Sequence, residues 1–473
     1  MKTLEVDMAV IGAGPAGQKG AIQGAKAGEK VVVIDRLGLL GGACLNQGTI
    51  PSKALRQAIL DLTGFLQSAY FGESHRSRRE ISINDLNLRV DKVIEDENAL
   101  LLEQCKGNGV EVAYGSARFV DEHAIEVVDQ KGQVACQVRA EKVLISTGSR
   151  PRHPIDIPDD REIFMDSDQI FRLDQLPESM IILGGGIIGC EYATMFAALG
   201  VRVIIIERRR QLLRMLDAEI GQLFAQYIED LGVEVNLGCN IKEVRISQDR
   251  QAEIVLDDGA RSSCAPRLFY SMGRVANVEG LNLQAAGVEL DSLGNIPVNK
   301  LFQTACPHIY AAGDVIGPPG LASTSFEQGR LAVRNAFTLK SHHFPDFFPY
   351  GIYTIPEISS IGPTEEELQE QGVHYEVGRA YYYEIARGPI AGDTSGMFKL
   401  IFHAETLELL GVHIIGTGAT ELIPLGQMAI HFHARVDYFV DNIFNYPTFA
   451  EGYRIAALNG LNRLRKTGAG TWI

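Results

Sequence analysis

The chain has 473 residues, which is too long for one ordinary hydrophobic core, so several packed domains are expected. Its 46% hydrophobic and 22% charged residues are typical of a globular protein, and no apolar run approaches the length of a membrane span. The net charge of −15 argues against a nucleic-acid or membrane partner, since both favour a basic surface.

The cysteines indicate a reduced compartment. There are 7 of them, an odd number, and no two form a C-x-x-C pair, so a secreted disulfide framework is not expected. Glu5 and Asp7 interrupt any signal-peptide core at the N-terminus. We therefore expect a cytoplasmic protein in which Cys44 is the one cysteine with informative neighbours.

The first predicted elements form a β-α-β unit with a glycine-rich turn. The apolar strand Val6–Ile11 leads into Gly12-Ala13-Gly14-Pro15-Ala16-Gly17, and a helix and the strand Val31–Ile34 follow. The first glycine allows a tight turn, the second lets the backbone approach a pyrophosphate, and the third allows close helix packing. An acid at the end of the second strand can accept the ribose hydroxyls. The unit predicts a dinucleotide site formed by Gly12, Gly14, Gly17 and Asp35.

The same pattern occurs a second time along the chain. Met180–Leu183 leads into Gly184-Gly185-Gly186-Ile187-Ile188-Gly189, and the strand Val201–Ile206 ends at an acid. Two complete folds of this kind imply two bound dinucleotides. The second site is predicted to use Gly184, Gly186, Gly189 and Glu207.

Two further segments indicate which nucleotide binds which fold. Ile145–Ser149 is typical of the strand and glycine turn that close the first fold. Thr304–Asp314 ends in Gly-Asp, where an acid at a strand end can hydrogen-bond the ribityl chain of a flavin. Taken alone, this segment also fits a surface strand that ends in a turn. We assign FAD to the first fold and NAD(H) or NADP(H) to the second.

These motifs resemble those of the pyridine nucleotide-disulfide oxidoreductase family, which includes dihydrolipoamide dehydrogenase and glutathione reductase. The resemblance covers nearly the whole chain and includes residues 41–53 and 445–451. It implies an α/β chain with two Rossmann-like dinucleotide-binding domains, as in glutathione reductase, plus a C-terminal α+β dimerisation domain. The implied limits are 1–150 and 277–348 for FAD binding, 151–276 for NAD(P) binding and 349–473 for the interface.

The resemblance also implies cofactor contacts beyond the glycine turns. For FAD, these residues are Arg36, Gly41, Gly42, Cys44, Lys53, Thr147, Gly148, Gly313 and Asp314. For NAD(P), they are Glu191, Arg208 and Gly273.

The chain departs from the disulfide reductases of this family at two positions. Those enzymes carry a redox pair of cysteines at the positions of Cys44 and Thr49, and a histidine at the position of Tyr446, which Glu451 would orient. A threonine cannot form the disulfide. A tyrosine, which ordinarily titrates near pH ~10, cannot shuttle thiol protons at neutral pH as histidine does. The resemblance therefore leaves no dithiol relay.

The residues for hydride transfer remain. Lys53 matches the lysine that stabilises the reduced flavin, and Glu191 matches the acid that pairs with this lysine beside the nicotinamide. Gly48–Arg56 and Phe444–Thr448 are similar to the soluble pyridine nucleotide transhydrogenase branch, the Si-specific NAD(P)+ transhydrogenases. This implies ping-pong transfer from NADPH to NAD+ through FAD, in a homodimer or larger homo-oligomer. The implied catalytic residues are Lys53, Glu191, Cys44, Tyr446 and Glu451.

Three questions stay open from the residues. Cys44 is either a thiolate that tunes the flavin or an inert part of the fold. Glu207 favours NAD, whereas Arg208–Arg210 favour NADP unless they form the solvated start of a helix. One alternative function is an NAD(P)H oxidase, peroxidase or diaphorase that uses Cys44. Others are a flavin-binding sensor or structural subunit without turnover, and a lipoamide-type reductase with a partner thiol supplied in trans, which Tyr446 disfavours. Phe71–Glu80 is expected to be a charged surface loop.

Overall fold

The computed structural model describes residues 2–36, 38–64, 81–154, 156–257 and 262–466. The predicted loop Phe71–Glu80 therefore lies outside the described residues. The chain forms two units. The first unit comprises Met1–Leu55, Asn87–His153 and Gly273–Pro345, and the second comprises Arg56–Leu86, Pro154–Met272 and Asp346–Ile473.

Strands and α-helices are numbered here in chain order. The strands are β1 (Lys2–Ile11), β2 (Val31–Asp35), β3 (Glu111–Tyr114), β4 (Ser116–Phe119), β5 (Ala124–Val128), β6 (Val134–Ile145), β7 (Ser149–Pro151), β8 (Phe164–Met165), β9 (Ser179–Leu183), β10 (Arg202–Glu207), β11 (Glu234–Leu237), β12 (Ile241–Ile246), β13 (Ala252–Leu256), β14 (Ser262–Ala265), β15 (Arg267–Tyr270), β16 (Arg274–Ala276), β17 (Ile309–Ala311), β18 (Tyr350–Ile352), β19 (Ile358–Ile361), β20 (Tyr375–Tyr381), β21 (Met397–His403) and β22 (Leu409–Ile415). The helices are α1 (Pro15–Lys26), α2 (Gly42–Asn46), α3 (Thr49–Thr63), α4 (Ile83–Gly107), α5 (Ile187–Ala198), α6 (Ala218–Asp230), α7 (Ala322–Ala336), α8 (Glu365–Glu370), α9 (Arg387–Ala391), α10 (Ala419–His431), α11 (Tyr438–Asp441) and α12 (Glu451–Lys466).

A seven-stranded sheet forms the centre of the first unit. Its order is β3-β2-β1-β6-β5-β4, and β17 also pairs with β6. The pairs β1–β2, β1–β6, β2–β3 and β17–β6 are parallel, whereas β4, β5 and β6 form an antiparallel meander. Met8, Ala9 and Val10 are all fully buried, as expected for a parallel strand covered on both faces. The strand begins at Lys2 rather than at the predicted Val6, because its first residues continue the register with β6.

The second unit contains a second parallel sheet with the order β11-β10-β9-β15-β8. All five residues of β9 are buried, so its apolar run is a central strand. The antiparallel strands β12, β13 and β14 form a separate sheet. The prediction of two Rossmann-like folds in an α/β chain is confirmed.

The C-terminal part of the second unit is an antiparallel sheet with helices. Its strand order is β18-β19-β22-β21-β20, and α12 packs on β20 and β21. Phe398, Phe402 and Tyr453 form its core with other buried side chains of the same region. This arrangement is the predicted α+β segment. No helix within the described residues has the length and apolar character needed to cross a bilayer.

A buried ion cluster joins helix α6, which connects β10 and β11 of the second parallel sheet, to the C-terminal sheet. Lys399 on β21 is 1% exposed, and its Nζ lies 2.7 Å from Asp217 Oδ1 and 3.0 Å from Glu219 Oε2, with Glu365 also in contact. Arg379 donates two hydrogen bonds to Glu219, at 2.6 and 2.8 Å. The three carboxylates could form a metal site by their spacing, but the ammonium of Lys399 lies among them.

Candidate functional site

The first glycine turn has the geometry that its spacing predicts. Gly12 has a φ of +97°, and its N–H donates to Ile34 at 2.8 Å. A Cβ on Gly17 would lie 1.8 Å from the carbonyl oxygen of Gly12, so only glycine fits there. Gly14 precedes the first residue of α1, and the nearest atom to a Cβ on it would be 4.0 Å away. This leaves a space beside the N-terminus of α1 that fits a pyrophosphate.

The other predicted FAD contacts in the N-terminal segment lie beside this turn. Asp35 is buried, and its Oδ2 accepts the N–H of Ala13 at 2.8 Å. Gly41 donates to the carbonyl of Ala13 at 2.8 Å, and a Cβ on Gly42 would lie 2.8 Å from Gly14 Cα. Arg36 follows β2 and is exposed.

The ends of β6 and β17 bring in the remaining FAD candidates. Thr147 Oγ1 is buried and has no hydrogen-bond partner within the described residues. Gly148 has a φ of +70°, and Asp314 Oδ2 accepts the hydroxyl of Ser149 at 2.6 Å. A Cβ on Gly313 would lie 3.2 Å from that of Ala16, so the Gly-Asp turn lies against α1. The orphaned hydroxyl and the open space at Gly14 fit a bound dinucleotide such as FAD.

Cys44 lies on α2, close to Thr49 and Lys53. Burial raises the pKa of its thiol; a hydrogen bond with Thr49 and the charge of Lys53 act in the opposite direction, and Asp314 adds to the increase. The net direction is upward, so the thiol is protonated at neutral pH. The amine of Lys53 lies 3.3 Å from the hydroxyl of Ser52.

The second glycine turn repeats the geometry of the first. Gly184 has a φ of +105°, and a Cβ on Gly189 would lie 2.0 Å from the carbonyl oxygen of Gly184. Gly186 precedes α5, and a Cβ there would meet no atom within 4 Å. Space for a second pyrophosphate is therefore present here too.

Two serines close the two turns and were missed by sequence reasoning. The Ser146 hydroxyl donates to Gly12 at 2.9 Å, and the Ser271 hydroxyl donates to Gly184 at 3.2 Å. Both follow a buried strand and precede a glycine by two residues, at Gly148 and Gly273. This repeated S-x-G pattern is the signal that would have identified them. Gly273 itself has a φ of +92° and lies in the first unit.

The predicted nucleotide selector is an irregular segment between β10 and α6. Glu207 Oε2 accepts the N–H of Gly185 at 2.7 Å, and Oε1 accepts the N–H of Arg209 at 2.8 Å. Arg208, Arg209 and Arg210 are exposed. The interpretation of these arginines as a helix start is wrong, because α6 begins only at Ala218.

The predicted catalytic acid Glu191 lies on α5 and is 4% exposed. Its Oε1 accepts the N–H of Tyr353 at 2.8 Å. Lys53 belongs to the first unit and Glu191 to the second, so their pairing stays a prediction. Tyr446 is 73% exposed, and Glu451 is the first residue of α12. The structure therefore gathers the FAD candidates in the first unit and the glycine turn, Glu207 and Arg208 in the second.

The chain matches two protein-family models. The model of the pyridine nucleotide-disulphide oxidoreductases matches residues 6–329, and the model of their dimerisation domain matches residues 348–457. Together these models cover most of the sequence.

Curated relatives match over almost the full length. A soluble pyridine nucleotide transhydrogenase of Mycobacterium bovis BCG is 44% identical over 461 residues, which are 98% of each chain. A protein of the same name from Pseudomonas putida is 41% identical over 467 residues, 98% of this chain and 100% of the relative.

Solved structures show the same fold. LpdA from Mycobacterium tuberculosis superimposes with a TM-score of 0.88 at 24% identity, over 97% of this chain and 99% of that one. RclA from Escherichia coli, a flavoprotein disulfide reductase, gives a TM-score of 0.85 at 25% identity, over 96% and 99% of the two chains.

Proposed function

Because the chain belongs to the pyridine nucleotide-disulphide oxidoreductase family, we propose that it transfers hydride between NADPH and NAD+ by way of FAD, the activity of a soluble pyridine nucleotide transhydrogenase. The observation that carries the proposal is Thr49 beside Cys44, where a redox disulfide would need a second cysteine. The names of relatives at 41–44% identity support it.

The binding residues divide between the two folds. The first glycine turn, with Asp35, Thr147 and Asp314, holds FAD, and the second turn holds each nicotinamide nucleotide in its turn. FAD supplies a ring that can accept a hydride from one nicotinamide and return it to another. The residues of the chain supply position and charge around that ring.

Two side chains have the charges that this reaction needs. Lys53 provides a positive charge at the flavin site, and Glu191 is the acid beside the nicotinamide. Thr49 cannot accept electrons from a reduced flavin, and the Cys44 thiol is protonated at neutral pH. No thiol path therefore competes with the second nicotinamide.

The second fold has to accept both nucleotides. Glu207 accepts one backbone N–H from the second glycine turn and one from the loop that follows β10, while Arg208 is exposed. We propose that Arg208 pairs with the 2′-phosphate of NADP(H) and that the Glu207 carboxylate accepts hydrogen bonds from the ribose hydroxyls of NAD(H). An oxidase or peroxidase is less favoured, because a sulfenic acid at Cys44 forms from the thiolate, which burial disfavours.

The C-terminal segment matches a dimerisation domain, so we further propose a homodimer, or a larger homo-oligomer, in which Tyr446 and Glu451 complete the partner's site. The exposure of Tyr446 supports a contact outside the chain. We also propose that the protein acts in the cytoplasm, where both nucleotide pools are found. If light scattering showed a monomer, and that monomer were fully active, the shared site would be contradicted.

Anaerobic stopped-flow spectroscopy tests the activity. NADPH is expected to bleach the flavin absorbance, and NAD+ is expected to restore it without oxygen or thiol. Gly186→Ala provides a matched probe, because a Cβ there meets no protein atom but would occupy the pyrophosphate space. We expect this variant to keep its FAD and to need more NADPH for the same rate.

Gly107→Ala is the control, because its Cβ also meets no atom within 4 Å and it ends α4. It is expected to behave as the wild type. A flavin that neither NADPH nor NADH bleaches would contradict the proposal, as would consumption of peroxide in place of transfer to NAD+.

A further inference from the structure

The segment Tyr353-Thr354-Ile355, here called the anchor segment, is bound by side chains of two helices. From α5, Glu191 Oε1 accepts the N–H of its first residue at 2.8 Å, and Thr194 Oγ1 accepts the N–H of its third residue at 3.1 Å. From α3, Arg56 Nε donates to the carbonyl of its second residue at 3.0 Å. Side chains therefore bind three successive residues. Tyr353, which Glu191 binds, and Thr354, which Arg56 binds, are adjacent.

Arg56 also provides positive charge in this region. Burial lowers its pKa, while attraction to the carboxylates of Glu357 and Glu191 acts in the opposite direction. A guanidinium remains charged at neutral pH even so. Glu191 and Glu357 are 4% and 8% exposed, so both acids that attract this guanidinium are themselves buried.

Glu357 ties the same region to α10. Its carboxylate accepts the N–H of Gly418 and, at 3.1 Å, the hydroxyl of Thr420. The carboxylate of Glu357 is thus bound to α10, while that of Glu191 is bound to the anchor segment that Arg56 also contacts.

From these contacts we infer that Arg56 is a positioning residue for hydride transfer, which fixes the anchor segment and thereby holds the Glu191 carboxylate in one place and one orientation. The inference rests on the proposed function, since Glu191 is the acid of that nicotinamide site. Sequence reasoning missed this role, because Arg56 and Thr354 are 298 residues apart.

Two substitutions separate the roles of Arg56. Arg56→Met removes both the charge and the N–H donor, whereas Arg56→Gln places an N–H donor at the position of Nε and so keeps the bond to the Thr354 carbonyl. Arg267→Met is the matched control: Arg267 is also half-buried, and its Nη1 donates to the carbonyl of Pro266 at 3.0 Å. FAD-loaded proteins are mixed anaerobically with NADPH, and the limiting rate of flavin bleaching and the half-saturating NADPH concentration are both measured. Hydrogen exchange of the peptide that contains the anchor segment is followed in parallel.

We expect Arg56→Met to lower the limiting rate by about tenfold to a hundredfold, because a displacement of ~1 Å has that effect on a positioned group. The half-saturating concentration should be unchanged, since nucleotide binding does not involve Arg56. The anchor segment should exchange faster. Arg56→Gln should recover most of the rate, and Arg267→Met should match the wild type in all three measurements.

An unchanged limiting rate in FAD-loaded Arg56→Met would overturn the inference. A glutamine variant as slow as the methionine variant, or a rate loss that merely follows weaker NADPH binding, would do the same. A wild-type flavin that neither nucleotide bleaches would overturn the proposed function itself, and that result appears before any substitution is made.

Discussion

The substitution Lys399→Met removes a buried positive charge and keeps most of the side-chain volume. The ammonium lies among the carboxylates of Asp217, Glu219 and Glu365, and the Asp217 side chain is 0% exposed. Removal of one partner from a buried ion pair costs about 3–5 kcal/mol, because the other charge is left without compensation. Arg379 still neutralises Glu219, so the loss falls mainly on Asp217. We therefore expect the free energy of unfolding to fall by about 3 kcal/mol, the lower end of that range.

The pH dependence of this loss follows from the directions of the pKa shifts. Burial opposes the charge of Asp217, but His413, Lys399 and backbone N–H donation outweigh it and lower its pKa. Burial lowers the pKa of His413 and keeps its ring neutral at pH 7, so Lys399 is the cation that acts there. A lowered carboxylate pKa stabilises the fold above the unfolded value of ~3.9 and loses this effect as the pH falls through the folded value. The raised pKa of Lys399 maintains its contribution until the pH rises above ~10.4.

Urea unfolding followed by circular dichroism measures the difference between wild type and Lys399→Met. The difference in the free energy of unfolding should be largest between pH ~5 and ~9. It should become smaller below pH ~4, because the carboxylates become protonated there. Lys92→Met is the control, because its ion pair with Asp96 is exposed on both sides, and it should unfold with the wild type. The double substitution Asp217→Asn with Lys399→Met should recover part of the loss, since asparagine can still cap α6. Equal unfolding of Lys399→Met and Lys92→Met would refute the reasoning.

Three further outcomes are expected. Gly17→Ala places a Cβ 1.8 Å from the Gly12 carbonyl oxygen, so we expect a loss of about 3 kcal/mol and little bound FAD by absorbance; a full complement of FAD would show that the turn can move. Cys44→Ser should transfer hydride from NADPH to thio-NAD+ at the wild-type rate, because the native thiol is protonated, and a large loss would place that thiol in the mechanism. Arg208→Ala should raise the half-saturating NADPH concentration roughly tenfold, the effect of one charge-assisted hydrogen bond, without a change for NADH. Equal losses with both nucleotides would exclude a phosphate contact.

The two parallel folds could be predicted from short sequence patterns, because the contacts that constrain each glycine turn join residues that are close together in the sequence. A Cβ at Gly17 or Gly189 would collide with the glycine five residues earlier, so the spacing of the turn is visible in the sequence. The acid at the end of the second strand likewise stands at a fixed distance from each turn. Asp35 and Glu207 do contact their own turns, through Ala13 and Gly185.

Contacts between distant residues could not be predicted in this way. Lys399 occupies an apolar strand where a lysine would ordinarily face solvent, and its partner Asp217 lies 182 residues earlier. The same Asp217 caps α6, so that helix begins only after the basic segment. The pairing of Lys53 with Glu191 and the roles of Tyr446 and Glu451 rest on the family resemblance and stay predictions.

The buried contact between Lys399 and Asp217 limits how this chain can be recombined with others. Asp217 belongs to the second dinucleotide fold, whereas Lys399 belongs to the C-terminal sheet. A chimera that exchanged residues 154–272 for a homologous segment without an acid at this position would remove from the buried ammonium the one partner that is itself fully buried. The two segments can therefore be exchanged only as a matched set. If the nicotinamide specificity were changed by grafting the second dinucleotide fold from a relative, the graft would have to include β21 as well, or the native Asp217 and first turn of α6 would have to be retained.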